Sequence, residues 1–287
     1  MEFRTLQNIT EKTLYEAFID AFSGYAVKID VTFAQFLEMI SSRNFDPKYS
    51  IGCFIEGQLA GFILCGIRNY GKVIIGYDIA TGVVTNQQRK GIGKRILQEL
   101  IEQLKENGVH YFRLEVLEKN ITAINLYTNQ GFNIIRKLEC FESGKEELIF
   151  PESNKYHFSK DPGKLAKLDL DKFEIYRPTW QNDLVTIGNS IDKHVFRAIE
   201  KHGNIVGFGF IHRENGRIPQ IGILPEWRNQ GLEAILIGGL ITETQSGKVA
   251  FINVEAESYL SETLDNIGVT SNIGQFEMEL DLKEDLN

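Results

Sequence analysis

Gln88-Arg89-Lys90-Gly91-Ile92-Gly93 decides how this 287-residue chain is read. Upstream, Val73 to Val84 is an apolar run of strand character. Downstream, Ile92, Ile96, Leu97, Leu100, Ile101 and Leu104 recur at helical spacing. The stretch therefore sits where a strand becomes a helix. Two glycines without side chains let backbone N–H groups approach a ligand closely, and the helix start adds the positive end of its dipole. Arg89, Lys90, Lys94 and Arg95 add positive charge on or beside the loop. Such a place suits a phosphate or pyrophosphate. A dinucleotide fingerprint would need a third glycine after the first strand of a βαβ unit, and a P-loop would need a hydroxyl after Gly93-Lys94. Neither is present.

Before this stretch, Leu14, Phe18 and Phe22 predict a helix over Glu11 to Phe22, which Ser23-Gly24 ends. Phe33, Phe36, Leu37 and Ile40 predict another over Thr32 to Ser41. Ser50 to Ile55 and Leu59 to Ile67, parted by Glu56-Gly57-Gln58, predict a hairpin that Val73 to Val84 extends to a meander. After the long helix, Asn107-Gly108 marks its stop. A strand is expected over Tyr111 to Leu117, a helix over Ile121 to Asn129, and closing strands over Phe132 to Leu138 and Glu146 to Phe150. Meander followed by strand-helix-strand gives an α/β (α+β) fold with a mixed, largely antiparallel sheet flanked by helices.

Two motifs now stand in order. Gln88-x-x-Gly91-x-Gly93 resembles the first signature of the GNAT acetyltransferases, and Asn120-x-x-Ala123-x-x-Leu126-Tyr127-x-x-x-Gly131-Phe132 resembles the second. The resemblance covers most of residues 1–150. It implies an acyl-CoA N-acyltransferase fold, acetyl-CoA as co-substrate and no metal. Val83 and Val84 would meet the pantetheine and acetyl groups through their backbone. The N–H groups of Arg89, Lys90, Gly91, Ile92, Gly93 and Lys94, behind Gln88, would hold the pyrophosphate, and Asn120 would contact the CoA arm. Tyr127 matches the family tyrosine that protonates the leaving sulfur. An amine must lose a proton to attack the thioester. Glu115, flanked by Leu114 and Val116, has spacing to Asn120 and Tyr127 similar to ribosomal-protein N-terminal acetyltransferases, where a glutamate so placed is the base. Asp78, on the strand entering the site, is the rival base, and a water relay from either is open. Tyr25 and Asp30, between the first two helices, are candidates for contact with a cationic amine. The acceptor is expected to be a small-molecule amine or a peptide N-terminus.

The rest of the chain repeats the pattern. Gly207-Phe208-Gly209-Phe210 echoes Gly61-Phe62-Ile63-Leu64, and Arg228-Asn229-Gln230-Gly231 echoes Gln88 to Gly91. Gly268-Val269 echoes Gly131-Phe132. The expected division is a GNAT domain over 1–150, a polar linker over 151–171, and a degenerate GNAT-like domain over 172–287. Glu233 replaces Gly93, which crowds a phosphate and sets like charge against it, and Leu264 stands where Tyr127 does. The second domain is therefore expected to transfer nothing, and to shape the cleft, form a homodimer or stabilise the first.

A formal charge of -8 disfavours duplex DNA, which draws on a basic footprint. Cys53, Cys65 and Cys140 lie far apart, which speaks against a disulfide framework. No apolar run approaches the roughly 20 residues that span a bilayer, and the first residues lack a signal-peptide pattern. A cytoplasmic protein without membrane contact is expected.

Overall fold

In the computed structural model, the described residues are 1–24, 30–148, 150, 156–167, 169–173 and 177–283. The elements in chain order are β1 (Glu2–Thr5), α1 (Glu11–Phe22), α2 (Phe33–Ser42), β2 (Ile51–Ile55), β3 (Gln58–Tyr70), β4 (Val73–Val83), α3 (Ile92–Glu106), β5 (Tyr111–Leu117), α4 (Ile121–Thr128) and β6 (Asn133–Gly144). There follow β7 (His157–Ser159), α5 (Leu184–Asn189), β8 (His194–Lys201), β9 (Asn204–His212), β10 (Gln220–Ile223), α6 (Leu232–Ile241), β11 (Lys248–Glu255), α7 (Tyr259–Asn266) and β12 (Ser271–Asp281). The expected helices and the meander form where the periodicity put them. Thr32 is the cap of α2 rather than its first residue: Gln35 N–H donates to its hydroxyl at 3.3 Å while Thr32 N–H donates to the Gln35 side chain at 2.9 Å.

The chain divides into two compact units. One is Met1–Val116 with Asn120–Ile135 and Glu277–Asn287, and the other is Leu117–Lys119 with Arg136–Phe276. These bounds differ from the linear division expected from sequence. In the first unit the strand order is β1-β2-β3-β4-β5-β12, so a strand from the far end of the chain lies beside β5. In the second, β6 pairs antiparallel with β11, placing Phe141 opposite Phe251, and β10-β9-β8-β7 form a separate sheet. The division cuts through the strands that follow the glycines at 131 and 268: β6 counts with the second unit from Arg136 on, and β12 with the first from Glu277 on.

Packing accounts for the place of β12. Met278, Leu280 and Leu282 are buried on one side, and Leu280 reaches Gly131. Two expectations fail here. Among the described residues, Glu146 to Phe150 gives no closing strand: Lys145–Glu147 forms a single 3-10 turn, and β12 takes the closing role. Nor is 151–171 only a linker, because β7 pairs with β8 and Phe158 packs on the core of the second unit. The polar composition there hid the apolar Tyr156 and Phe158.

Helices cover both faces of the first sheet. Leu14, Phe18, Phe36 and Ile40 are buried from α1 and α2, and Ile92, Ile96, Leu97, Leu100 and Leu104 from α3. Each such side chain contributes about 1.5–3 kcal/mol by leaving water. The second unit buries Leu232, Ile235, Leu236, Ile237 and Leu240 of α6 with β8 and β9 residues such as Ile199 and Val206.

Candidate active site

The site begins where β4 and β5 part. They pair in parallel only from Ile75↔Tyr111 to Tyr77↔Arg113, after which no further ladder joins them. Val84 N–H donates to Ala60 O at 3.0 Å on the β3 side. Strand alternation then turns the backbone of Val83, not the N–H of Val84, toward the open edge. Val83 O is met there by Gln88 Nε2 at 3.1 Å. Of the two valines expected to offer their backbone to a ligand, only Val83 is aimed there.

The loop from Gln88 to Gly93 keeps the geometry its residues imply. Arg89 and Gly91 hold left-handed φ values of 61° and 78°. Gly91 caps α3 without any side-chain hydrogen bond, so the first N–H groups of the helix have no side-chain acceptor from the cap. A Cβ added at Gly93 would meet only Val83, at 3.8 Å, so the space before the helix is open. Lys90 lies beside Gln87, its Nζ donating at 2.9 Å. Asn120 caps α4: Ala123 N–H donates to its side-chain oxygen at 3.2 Å, which leaves its NH2 as the part suited to another acceptor. These residues fit a diphosphate-bearing ligand.

The acidic and phenolic groups divide between the two faces of the sheet. Gly76 faces Phe112 and Leu104, on the side of α3. By alternation Asp78 shares that face. There the Thr81 hydroxyl donates to Asp78 Oδ2 at 2.5 Å and the Tyr127 hydroxyl donates to the same oxygen at 3.3 Å. Tyr127 is buried and packs its ring at a tilt against Phe132, which in turn meets Phe112 edge-on. Burial pushes the Asp78 carboxyl up to about 6, opposed by the hydrogen bonds from Thr81 and Tyr127. Its other oxygen is buried without a hydrogen-bond partner among the described residues.

Tyr77 points the other way. It pairs with Gly66, which abuts the end of α2 at Arg43 O. On this α1/α2 face the Tyr77 hydroxyl donates to Glu115 Oε2. Arg113 lies one residue pair along and binds Glu279 of β12 at 2.5 Å. The same antiparallel register, fixed by Leu282 N–H donating to His110 O at 2.8 Å, sets Glu277 across from Glu115. Sequence reasoning missed Tyr77, Thr81, Glu277 and Glu279. Alternation around Asp78 could have pointed to Tyr77, but nothing local in the sequence ties β12 to β5. Asp30 is exposed ahead of α2, and Tyr25 lies outside the described residues.

Residues 12–132 match the model of the acetyltransferase (GNAT) family. The likeness to the GNAT family thus rests on this segment. It is 40% identical over 97 residues to the "[Ribosomal protein bS18]-alanine N-acetyltransferase" of Escherichia coli (strain K12), an alignment covering 33% of this chain and 63% of that relative. Over 97 residues it is 31% identical to the "Spermine/spermidine N(1)-acetyltransferase" of Bacillus subtilis (strain 168), with 31% and 62% covered. The chain thus spans less than two thirds of the length of either relative. In structure, a "Tandem GNAT protein from the clavulanic acid biosynthesis pathway" superposes with a TM-score of 0.71 at 12% identity, covering 99% of both chains, which shows a shared fold.

The second half of the chain repeats the loop geometry of the first. Asn229 and Gly231 hold φ values of 58° and 79°. Arg228 Nε donates to Ile223 O at 3.3 Å, as Gln88 does to Val83 O. Val269 N–H donates to Leu264 O at 2.9 Å, as Phe132 N–H does to Tyr127 O at 3.1 Å, so Leu264 occupies the tyrosine position. Glu233, at the position of Gly93, is 5% exposed. Burial raises its carboxyl, against hydrogen bonds from the backbone of Glu233 and Asn229. Here the loop N–H groups meet the protein's own acid.

Proposed function

We propose that this GNAT protein is an N-acetyltransferase whose first unit moves the acetyl group of acetyl-CoA to a primary amine, and whose second unit is a degenerate GNAT-like domain. The observation that carries this reading is the division of groups at the parting of β4 and β5. A buried phenol, Tyr127, stands on the α3 face, and a carboxylate, Glu115, stands on the α1/α2 face. When bound, acetyl-CoA supplies an activated acetyl thioester. The N–H groups from Arg89 to Lys94 hold its diphosphate, with Val83 and Asn120 along the arm.

The amine arrives as an ammonium and must lose a proton. Glu115 shares its face with α1 and α2, whose connecting segment carries the acceptor candidates Tyr25 and Asp30, so Glu115 takes that proton directly or through water. Tyr127 gives a proton to the departing sulfur. Asp78 sits on the opposite face from Glu115 and is bonded to Tyr127, so its part is to orient the acid rather than to serve the amine. The names of the relatives support two acceptor types, a peptide N-terminus and a polyamine. No helix among the described residues is long and apolar enough to cross a membrane, and action in the cytoplasm is part of the same proposal.

The test is release of CoA thiol from acetyl-CoA with an Ala-initiated peptide, spermidine and a broader amine panel. Tyr127→Phe is expected to keep acetyl-CoA affinity and lose about 100-fold in kcat. Unchanged turnover would remove Tyr127 as the acid. Acetyl-CoA binding with no thiol release from any amine would favour a binding or scaffold protein of the same fold, a reading that the degenerate second loop also supports.

A further inference from the structure

We propose that Tyr77 is a positioning residue for the base, its buried hydroxyl fixing the Glu115 carboxylate on the α1/α2 face; this rests on the reading of Glu115 given above. Tyr77 is 2% exposed, and its hydroxyl donates to Glu115 Oε2. β4 and β5 are still paired at Tyr77↔Arg113, so the ring is anchored one step before the strands part. Glu115 lies just beyond that point. Held from the last paired residue, the carboxylate is oriented at the start of the gap rather than swinging along it.

Burial, then the charge of Glu115, drives the Tyr77 phenol well above its ordinary range, against the pull of Arg43. It therefore remains a neutral donor at any working pH. A donor of this kind favours the ionised carboxylate, the form a base requires. Other charged groups surround the pair: Arg43 at the end of α2, Asp78 acting through β4, Arg113 on β5, and Glu277 and Glu279 on β12. Glu277 and Glu279 oppose ionisation of Glu115, and Arg113 favours it while itself bound to Glu279. Against this balance the Tyr77 bond supplies a directed contact that charge alone does not.

The experiment compares wild type with Tyr77→Phe, which keeps the ring and removes only the oxygen. Carboxyl 13C NMR of the full chain, with Glu115 assigned by its loss in Glu115→Gln, reads the titration without any acceptor. The Glu115 midpoint is expected to rise by about one pH unit. With an amine that turns over, the acid limb of kcat/KM should move upward by the same amount. At pH 6.5 the rate should fall about tenfold at most, with KM for acetyl-CoA unchanged, and Tyr77→Phe should add nothing in a Glu115→Gln background. An unmoved midpoint, or a loss of rate equal at every pH, would overturn the proposal and leave Tyr77 a packing residue. A moved midpoint with an unmoved acid limb, or full activity in Glu115→Gln, would instead remove Glu115 from the base role and the positioning role with it.

Discussion

At the scale of single residues, two adjacent positions on β4 send their side chains to opposite faces and to different partners. Tyr77 goes to Glu115, and Asp78 to Tyr127 and Thr81. The sequence marked Glu115, Asp78 and Tyr127 as candidates, Tyr127 and Glu115 through the family resemblance and Asp78 by its place on the strand entering the site. It could not say which acid met which phenol, since that depends on sheet faces and on a register between strands far apart in the chain. Asp78 has a measurable cost. Its carboxyl is raised to about 6 in the folded protein from an ordinary value of 3.8. The unfolded chain loses this proton first as pH rises, so the penalty is absent below about pH 4 and complete above about pH 6. A rise of that size corresponds to ~3 kcal/mol as an order of magnitude. Asp78→Asn should therefore flatten the fall in stability between pH 4 and 6, and chemical denaturation at several pH values would check it. A variant whose stability falls over that range as steeply as wild type would show that Asp78 ionises as easily folded as unfolded.

At the scale of elements, the glycine loop and α3 were readable because one short stretch encodes a left-handed turn, a helix start and a cluster of donors. The same local rules built the second loop to nearly the same backbone angles, with Arg228 taking the part of Gln88. What separates the loops is the first turn of the helix. Gly93 leaves open space, whereas Glu233 brings a carboxylate to the N–H groups. Gly93→Glu should reproduce that difference in the first loop. The backbone there tolerates a Cβ, so the melting temperature should change little, while acetyl-CoA affinity should weaken at least about tenfold through like charge and lost donors. Isothermal titration calorimetry would read the affinity, and unaltered binding would show that the loop N–H groups do not hold the cofactor. Strand β7 was not legible, since a three-residue strand in a polar stretch has too few positions to show alternation.

At the scale of the whole chain, the echo of the first half in the second was legible but the place of β12 beside β5 was not. β6 and β12 both follow a glycine with positive φ, Gly131 and Gly268, so the local sequence does not mark which of them lies beside β5. Long-range packing decides, through Met278, Leu280 and Leu282. A chain ended after Phe276 should lose these three buried side chains, at about 1.5–3 kcal/mol each, which rivals the net stability of a small domain. Its first unit should melt far below wild type by circular dichroism and hydrogen exchange; an unshifted transition would show that β12 is dispensable there. The late place of β12 in the chain also bears on how the protein is made. β5 leaves the ribosome about 160 residues before β12. Through most of translation the nascent first unit carries an open strand edge, with β6 the nearest segment able to pair there in error. The last step of its folding therefore waits for β12, and a holding chaperone would find its surface on the edge of β5.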